Sequence, residues 1–220
     1  MQVQRVDVAQ ISGAVTCHVT VTSQGHNRPL DRRSLPLGDP TLSPLATAPL
    51  SQLFRLLSLP CKGGLYLHAM PGRGEPVATS LREVARLRIT RVVCLAMRHE
   101  IEDTSLAYAT AIHSHRDWHF DLLPVSDYGV AQDSAAFVAK VQQIVVLLDG
   151  GYSVLVHCAA GIGRTGCFAI AVLLLKGYSL EAATMHVKAH GSWPESIAQI
   201  GFLKAVSVQL LSTKPIEAGR

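Results

Sequence analysis

The chain has 220 residues, a formal net charge of +4, and 48% hydrophobic, 16% charged and 5% aromatic residues. That is enough apolar material for one buried core plus an extension, and it argues against disorder over most of the length. The longest unbroken apolar run, Phe168 to Leu175, falls far short of the roughly 18 residues that suggest a membrane span, and no Lys/Arg cluster exceeds Arg32-Arg33. Nucleic acid is therefore not an expected partner, whereas the small basic excess suits an anionic ligand. "MQVQRVDVAQ" lacks the basic and apolar segments of a signal peptide. Five cysteines without framework spacing fit a reducing compartment. A cytoplasmic protein without a membrane span is expected.

Residues 1–60 read as an extension without an assignable role. "VTCHVTVTS" (15–23) has strand character, and "NRPLDRRSLPLGDPTLSPLATAP" carries five prolines and reads as irregular. From Gly63 the pattern becomes regular. "GLYLHAM" (64–70) predicts a strand ended by the turn "PGRG", and "ATSLREVARLRI" (78–89) predicts a helix with Leu81, Val84, Ala85 and Ile89 on one face. "RVVCLAM" (91–97) and "FDLLPVS" (120–126) predict strands. Asp133 is placed to cap a helix running to Asp149, with Phe137, Val141, Ile144, Val145 and Leu148 as its apolar stripe. "SVLVHC" predicts another buried strand and "TGCFAIAVLLLKG" another helix. Ser179 caps a helix over 179–190, and a last helix runs from about Glu195 to Leu211.

Strands alternating with helices predict an α/β fold, a central, mostly parallel sheet covered on both faces. The expected division is an extension over 1–60, one domain over 61–212 and a tail over 213–220. Ligands of such sheets bind beyond the carboxyl ends of the strands, where His157 and Cys158 lie.

The loop "HCAAGIGRTG" that follows is the strongest signal in the chain. A Cys and an Arg six apart mean little alone; with the preceding His, three glycines and Thr165 the combination is specific. The glycines let successive N–H groups turn inward as an anion nest, and the following helix adds donors and positive potential at its N-terminus. Arg164 supplies a planar fork for two phosphate oxygens. The same field favours the Cys158 thiolate, a nucleophile at the floor of an anion site and suited to attack phosphorus.

"HCAAGIGRTG" resembles the HCxxGxxR(S/T) signature loop of the cysteine-dependent protein tyrosine phosphatases. "MPGRGEP", "ITRVVCLAMRHEIE", "PVSDYGVAQD" and "GSWPESIAQIGFL" are similar to successive blocks of the compact, dual-specificity-like branch, which includes bacterial and archaeal tyrosine phosphatases and the cyclin-dependent-kinase-inhibitor-associated phosphatase. The resemblance covers residues 62–212 and implies the protein tyrosine phosphatase-like fold. It implies that Cys158 forms a phosphocysteine intermediate, and that Arg164 and the amides of Ala159, Ala160, Gly161, Ile162, Gly163 and Arg164 hold the phosphoryl oxygens. Thr165 would help Cys158 leave, His157 would orient the loop and tune the thiolate, and Gln199 would lie near the site and position water. Family members place an acidic proton donor some 30 residues before the Cys. Asp127 lies 31 residues upstream; Asp133 is its competitor, but has a sufficient task as a cap.

The implied activity is hydrolysis of phosphotyrosine in proteins, with phosphoserine and phosphothreonine as further substrates, and with no metal or cofactor. Non-protein phosphates remain an alternative: phosphoinositides, nucleotides or RNA 5′-phosphates. The loop lacks the lysines that grip highly phosphorylated lipid headgroups. A phosphoprotein-binding module without turnover, or with little, is the other alternative.

Other features have quieter readings. "HSHRDWH" (113–119) holds three histidines but completes no metal pattern and reads as a solvated connector, with Trp118 serving packing or an aromatic substrate. Cys94 and Cys167 are either inert buried thiols or disulfide partners for Cys158. Arg73 with Glu75, and Arg98 with Glu100, follow strands at the same sheet edge and either shape the pocket or pair with each other.

Overall fold

The computed structural model describes residues 53–114 and 117–212. The strand expected over 15–23, the proline-rich stretch and the tail over 213–220 lie outside the described residues. Among the described residues five strands form one sheet: β1 (Arg55–Leu57), β2 (Leu65–His68), β3 (Ile89–Cys94), β4 (His119–Leu122) and β5 (Ser153–His157). Their spatial order is β1-β2-β5-β3-β4; β1 is antiparallel to β2 and all other pairs are parallel. The helices are α1 (Val77–Arg86), α2 (Arg98–Thr104), α3 (Leu106–Ser114), α4 (Ser134–Asp149), α5 (Gly163–Leu175), α6 (Leu180–Ala189) and α7 (Ile197–Ser212). None is long and apolar enough to cross a membrane, among the described residues.

Side chains alternate across a strand, so each inner strand feeds two cores. Leu65, Leu67, Val93, Val154 and Val156 join one cluster with Phe137, Ile144, Phe168, Val187 and Leu203 of α4 to α7. Val92, Cys94 and Leu155 point the other way, to Val84, Ile101 and Tyr108 of α1 to α3. Helix α5 is apolar on all sides, and its residues from Gly163 to Leu174 are buried between the sheet and its neighbours, as an all-round apolar helix must be.

Several expectations shift by a few residues for identifiable reasons. The helix expected to reach Ile89 stops at Arg86, because Arg88 turns left-handed with φ +51° and Ile89 opens β3, buried. Asp133 caps α4 by accepting from the Ala136 N–H at 2.9 Å, and Ser179 caps α6 by accepting from the Ala182 N–H at 3.1 Å. The domain boundary expected at residue 60 falls behind the first strand. β1 already pairs with β2 through Arg55–Leu67, Leu56–Tyr66 and Leu57–Leu65, and Phe54 and Leu57 are buried in the two cores. Three residues of strand were too short a pattern to register.

The connector "HSHRDWH" is partly helix: α3 includes His113 and Ser114. Trp118 is buried, its ring 6.3 Å from that of Phe120 in a tilted, edge-on arrangement, so it serves packing. Among the described residues no group of three or more His, Cys, Asp or Glu side chains comes together to hold a metal.

Candidate active site

β5 ends at His157, in the middle of the sheet, and α5 begins at Gly163. The five residues between them form the loop whose backbone can be worked out carbonyl by carbonyl. The His157 carbonyl accepts from the Leu95 N–H at 2.8 Å, and the Ala159 carbonyl accepts from the Met70 N–H at 3.0 Å. The Cys158 carbonyl lies 3.1 Å from Nδ1 of His157. The Gly161 carbonyl accepts from Nη2 of Arg55 and from Oγ of Ser192, both at 2.7 Å. In a trans peptide the carbonyl and the following N–H point in opposite directions. Carbonyls drawn outward at Cys158, Ala159 and Gly161 therefore turn the N–H groups of Ala159, Ala160 and Ile162 to the opposite side. The Gly161 N–H is aimed at Sγ of Cys158 at 3.2 Å. The result is an amide nest above a sulfur atom at the entry to a helix, a strong anion site.

Gly161 makes the turn possible. Its φ is +72°, and a Cβ there would lie 2.3 Å from the carbonyl oxygen of His68. Cys158 is 2% exposed.

Arg164, on the first turn of α5, is the hub. Nη1 donates to Oε2 of Glu100 at 2.7 Å and to the Val125 carbonyl at 2.8 Å; Nη2 donates to Oε1 of Glu100 and Oδ1 of Asp127, both at 2.9 Å. Burial would lower the Arg164 pKa, but Glu100, Cys158 and Asp127 together raise it above its ordinary value. For Glu100 burial works upward, and the hydrogen bonds from Arg164 and the Met97 N–H outweigh it, leaving the carboxyl below its usual range. The Glu100 side chain also closes the N-terminus of α2 through the Met97 N–H at 2.8 Å. The choice left open for Glu100 thus has an answer: it pairs with the loop arginine and not with Arg98. Glu75 has a different task, accepting from the Ser80 hydroxyl and lying 3.2 Å from Nε2 of His68.

Asp127 follows a segment that extends the sheet irregularly, since Leu123 and Val125 donate to the carbonyls of Cys94 and Leu95. Tyr128, at φ +55°, and the Gly129 N–H bonded to the Ser126 carbonyl turn the chain back. The Asp127 side chain is 61% exposed and touches Arg164. Asp133, the competing acid, is occupied as the α4 cap. Gln199 is buried and holds this loop: Nε2 donates to the Gly129 carbonyl at 3.2 Å, and Oε1 accepts from the Glu195 N–H at 2.7 Å. The Ser196 hydroxyl adds a bond to the Tyr128 carbonyl at 2.8 Å.

His157 is buried, and its Nδ1 must donate, because the Cys158 carbonyl can only accept. Nε2 is then the acceptor for the Tyr108 hydroxyl at 2.8 Å. Burial pushes the His157 pKa down to about 4, so the ring is neutral. Oγ1 of Thr165 is fully buried without a hydrogen-bond partner among the described residues. Sequence reasoning missed Tyr108, Arg55 and Ser192; none lies in the loop motif, and only the topology of the sheet brings them to it. Cys94 sits beside His157 in the β3–β5 register, and burial raises the thiols of Cys94 and Cys167 to about 12.

Residues 67–217 match the family described as PTP-SAK, Swiss Army Knife protein, DSP-PTPase phosphatase domain. The chain belongs to this phosphatase family. The phosphatase domain is also 33% identical over 112 residues to dual specificity protein phosphatase 5 of Homo sapiens, a match covering 50% of this chain and 26% of that protein. Among solved structures it is similar to kinase associated phosphatase carrying a serine in place of its catalytic site cysteine. That likeness has a TM-score of 0.64 at 20% identity over 72% of this chain and 96% of the other, and is one of fold. Tk-PTP in its active form is similar with a TM-score of 0.57 at 25% identity, over 71% of this chain and 97% of the other. The dual-specificity-like cysteine phosphatase branch and its mostly parallel sheet are thus those of this chain.

Proposed function

We propose that this phosphatase domain hydrolyses phosphotyrosine, and also phosphoserine and phosphothreonine, in proteins through a phosphocysteine intermediate. The observation that carries the reading is the Arg164 hub. One guanidinium beside the amide nest touches both the Asp127 carboxylate and the Val125 carbonyl, which supports a proton donor beside an anion site.

Sγ of Cys158 attacks phosphorus as the P–O bond to the leaving group breaks, and Asp127 gives its proton to the departing oxygen. The charge on the three remaining oxygens is met by the amides of Ala159, Ala160, Gly161, Ile162, Gly163 and Arg164 and by the Arg164 guanidinium, whose Nη2 releases Asp127 to the leaving group as the phosphate enters. A water molecule then attacks the phosphocysteine, Asp127 takes its proton, the S–P bond breaks, and the thiolate departs toward Thr165. Neutral His157 holds the Cys158 carbonyl outward throughout. Gln199, with both ends of its amide on backbone, acts by holding the acid loop.

Turnover of para-nitrophenyl phosphate, sensitive to vanadate and indifferent to chelator, is the direct assay. Cys158→Ser is expected to lower kcat by about 10⁴-fold or more while phosphate affinity persists. Asp127→Ala is expected to lower it by about 10²- to 10³-fold, and by less on substrates with acidic leaving groups. Retained activity in Cys158→Ser would overturn the mechanism. A wild-type protein that binds tungstate without turnover would be a phosphoprotein-binding module instead. Among phosphoester classes, Ala159, Ala160 and Ile162 in place of lysines favour a singly phosphorylated protein over a phosphoinositide headgroup.

A further inference from the structure

We infer that Arg55 is a positioning residue of this site: its guanidinium, with the Ser192 hydroxyl, locks the Gly161–Ile162 peptide with its carbonyl outward and its amide in the phosphate cradle. The inference rests on the phosphatase reading above. Arg55 lies on β1, twelve positions ahead of the matched region, which starts at residue 67.

Arg55 makes three bonds to backbone carbonyls. Nη2 takes Gly161 at 2.7 Å, while Nη1 takes His190 at 3.0 Å and also Gly191. Ser192, fully buried, brings its hydroxyl to the same Gly161 oxygen at 2.7 Å. Both lone pairs of that oxygen are thus occupied, one by a charged donor. The peptide needs such fastening, because Gly161 has no side chain to resist rotation. A rotated peptide would put a carbonyl oxygen where a phosphoryl oxygen must sit and remove the Ile162 amide from the nest. Inward amides and outward carbonyls are two faces of one rigid plane, so a donor outside the loop decides what lies inside it.

The fork also explains its surroundings. Gly191 has φ +77°, and a Cβ there would lie 2.5 Å from Nη1 of Arg55, so a bare backbone leaves the room the guanidinium fills. Arg55 fixes the His190–Gly191 turn that presents Ser192, which makes the two fasteners interdependent. Burial lowers the Arg55 pKa and attraction from Cys158 opposes this, so Arg55 adds positive field near the cradle as well as geometry.

The test uses the full chain with Arg55→Met, Arg55→Lys, Ser192→Ala and the double variant Arg55→Met/Ser192→Ala. Each is read by tungstate affinity per folded molecule, by kcat and KM for para-nitrophenyl phosphate, and by thermal melting. Arg55→Met is expected to weaken tungstate binding and kcat/KM by about 10- to 100-fold. Ser192→Ala is expected to cost about three- to tenfold in both. The double variant should lose less than the product of the two, because Arg55 also holds the turn that presents Ser192. Arg55→Lys should recover only a fraction, since an ammonium lacks the planar fork. A variant damaged only in stability would lower the melting temperature and the active fraction without changing tungstate affinity per folded molecule. That outcome, or full rescue by lysine, overturns the lock. Should Arg55→Met fail to fold, Ser192→Ala and Arg55→Lys with unchanged tungstate affinity overturn it equally. If the wild type turns over no phosphoester, the phosphatase reading fails while the tungstate series still decides on Arg55.

Discussion

Tyr108 and His157 form a buried polar pair in which each group depends on the other. The hydroxyl is the donor to Nε2, the ring in turn holds the Cys158 carbonyl, and burial keeps the ring neutral with its pKa near 4. In an unfolded chain a histidine takes up its proton near 6.5. Between those values the unfolded state binds more protons, so stability is complete above about pH 6.5 and declines as pH falls toward 4. The loss from this residue is about 3 kcal/mol at the acid end, readable as a fall in urea midpoint between pH 7 and pH 4.5. Tyr108→Phe removes the donor and strands Nε2. It is expected to cost about 1 to 3 kcal/mol at pH 7 in urea unfolding, and to flatten the pH dependence as the ring becomes easier to protonate. The same scale explains what the sequence announced. Cys158, Arg164 and Thr165 stand in a motif whose spacing is dictated by one turn from strand to helix. Tyr108 and Arg55 stand 50 and 103 positions from Cys158, where no local pattern points to them.

Helix α2 illustrates why some elements were legible and others were not. Helices α4 and α6 carry caps and an apolar face, and β5 and α5 are dominated by apolar runs; each announces itself within five to sixteen residues. "RHEIEDT" is seven residues with Ile101 as its single buried side chain, too little apolar pattern to announce a helix. Its significance lies in Glu100, which α2 holds against the Arg164 guanidinium on both terminal nitrogens. Glu100→Gln keeps the shape and loses the charge. Arg164 then keeps one neutral amide oxygen there, with Asp127 and the Val125 carbonyl, and kcat/KM for an aryl phosphate should fall by about tenfold, with a larger share in KM as the fork loses its fixed orientation. An unchanged KM would assign Glu100 to helix capping alone, through the Met97 N–H.

Across the whole molecule, the sheet order β1-β2-β5-β3-β4 sets β5, the strand that leads into the Cys158 loop, in the middle, with parallel neighbours on either side. The alternation of strands and helices was enough to anticipate that plan, because parallel strands need crossovers. It was not enough to find the antiparallel edge strand β1, whose three residues follow a proline-rich stretch and carry only one wholly buried side chain, Leu57. A chain cut at residue 61 loses Phe54, Leu57 and Arg55 together. It should melt lower and bind tungstate more weakly than a chain beginning at residue 48, with differential scanning calorimetry and isothermal titration as the two readings. Equal behaviour of the two chains would return the boundary to residue 60.

The enclosure of α5 has a consequence for how this phosphatase domain can fail. Cys158 stands between the innermost strand and the innermost helix, the parts of a protein that open last. Fraying at the periphery leaves the sulfur in place, so heat disarms it only when the entire core gives way. What can be adjusted without that collapse is the perimeter: the loop that carries Asp127, the short helix that carries Glu100, and the three-residue strand that carries Arg55.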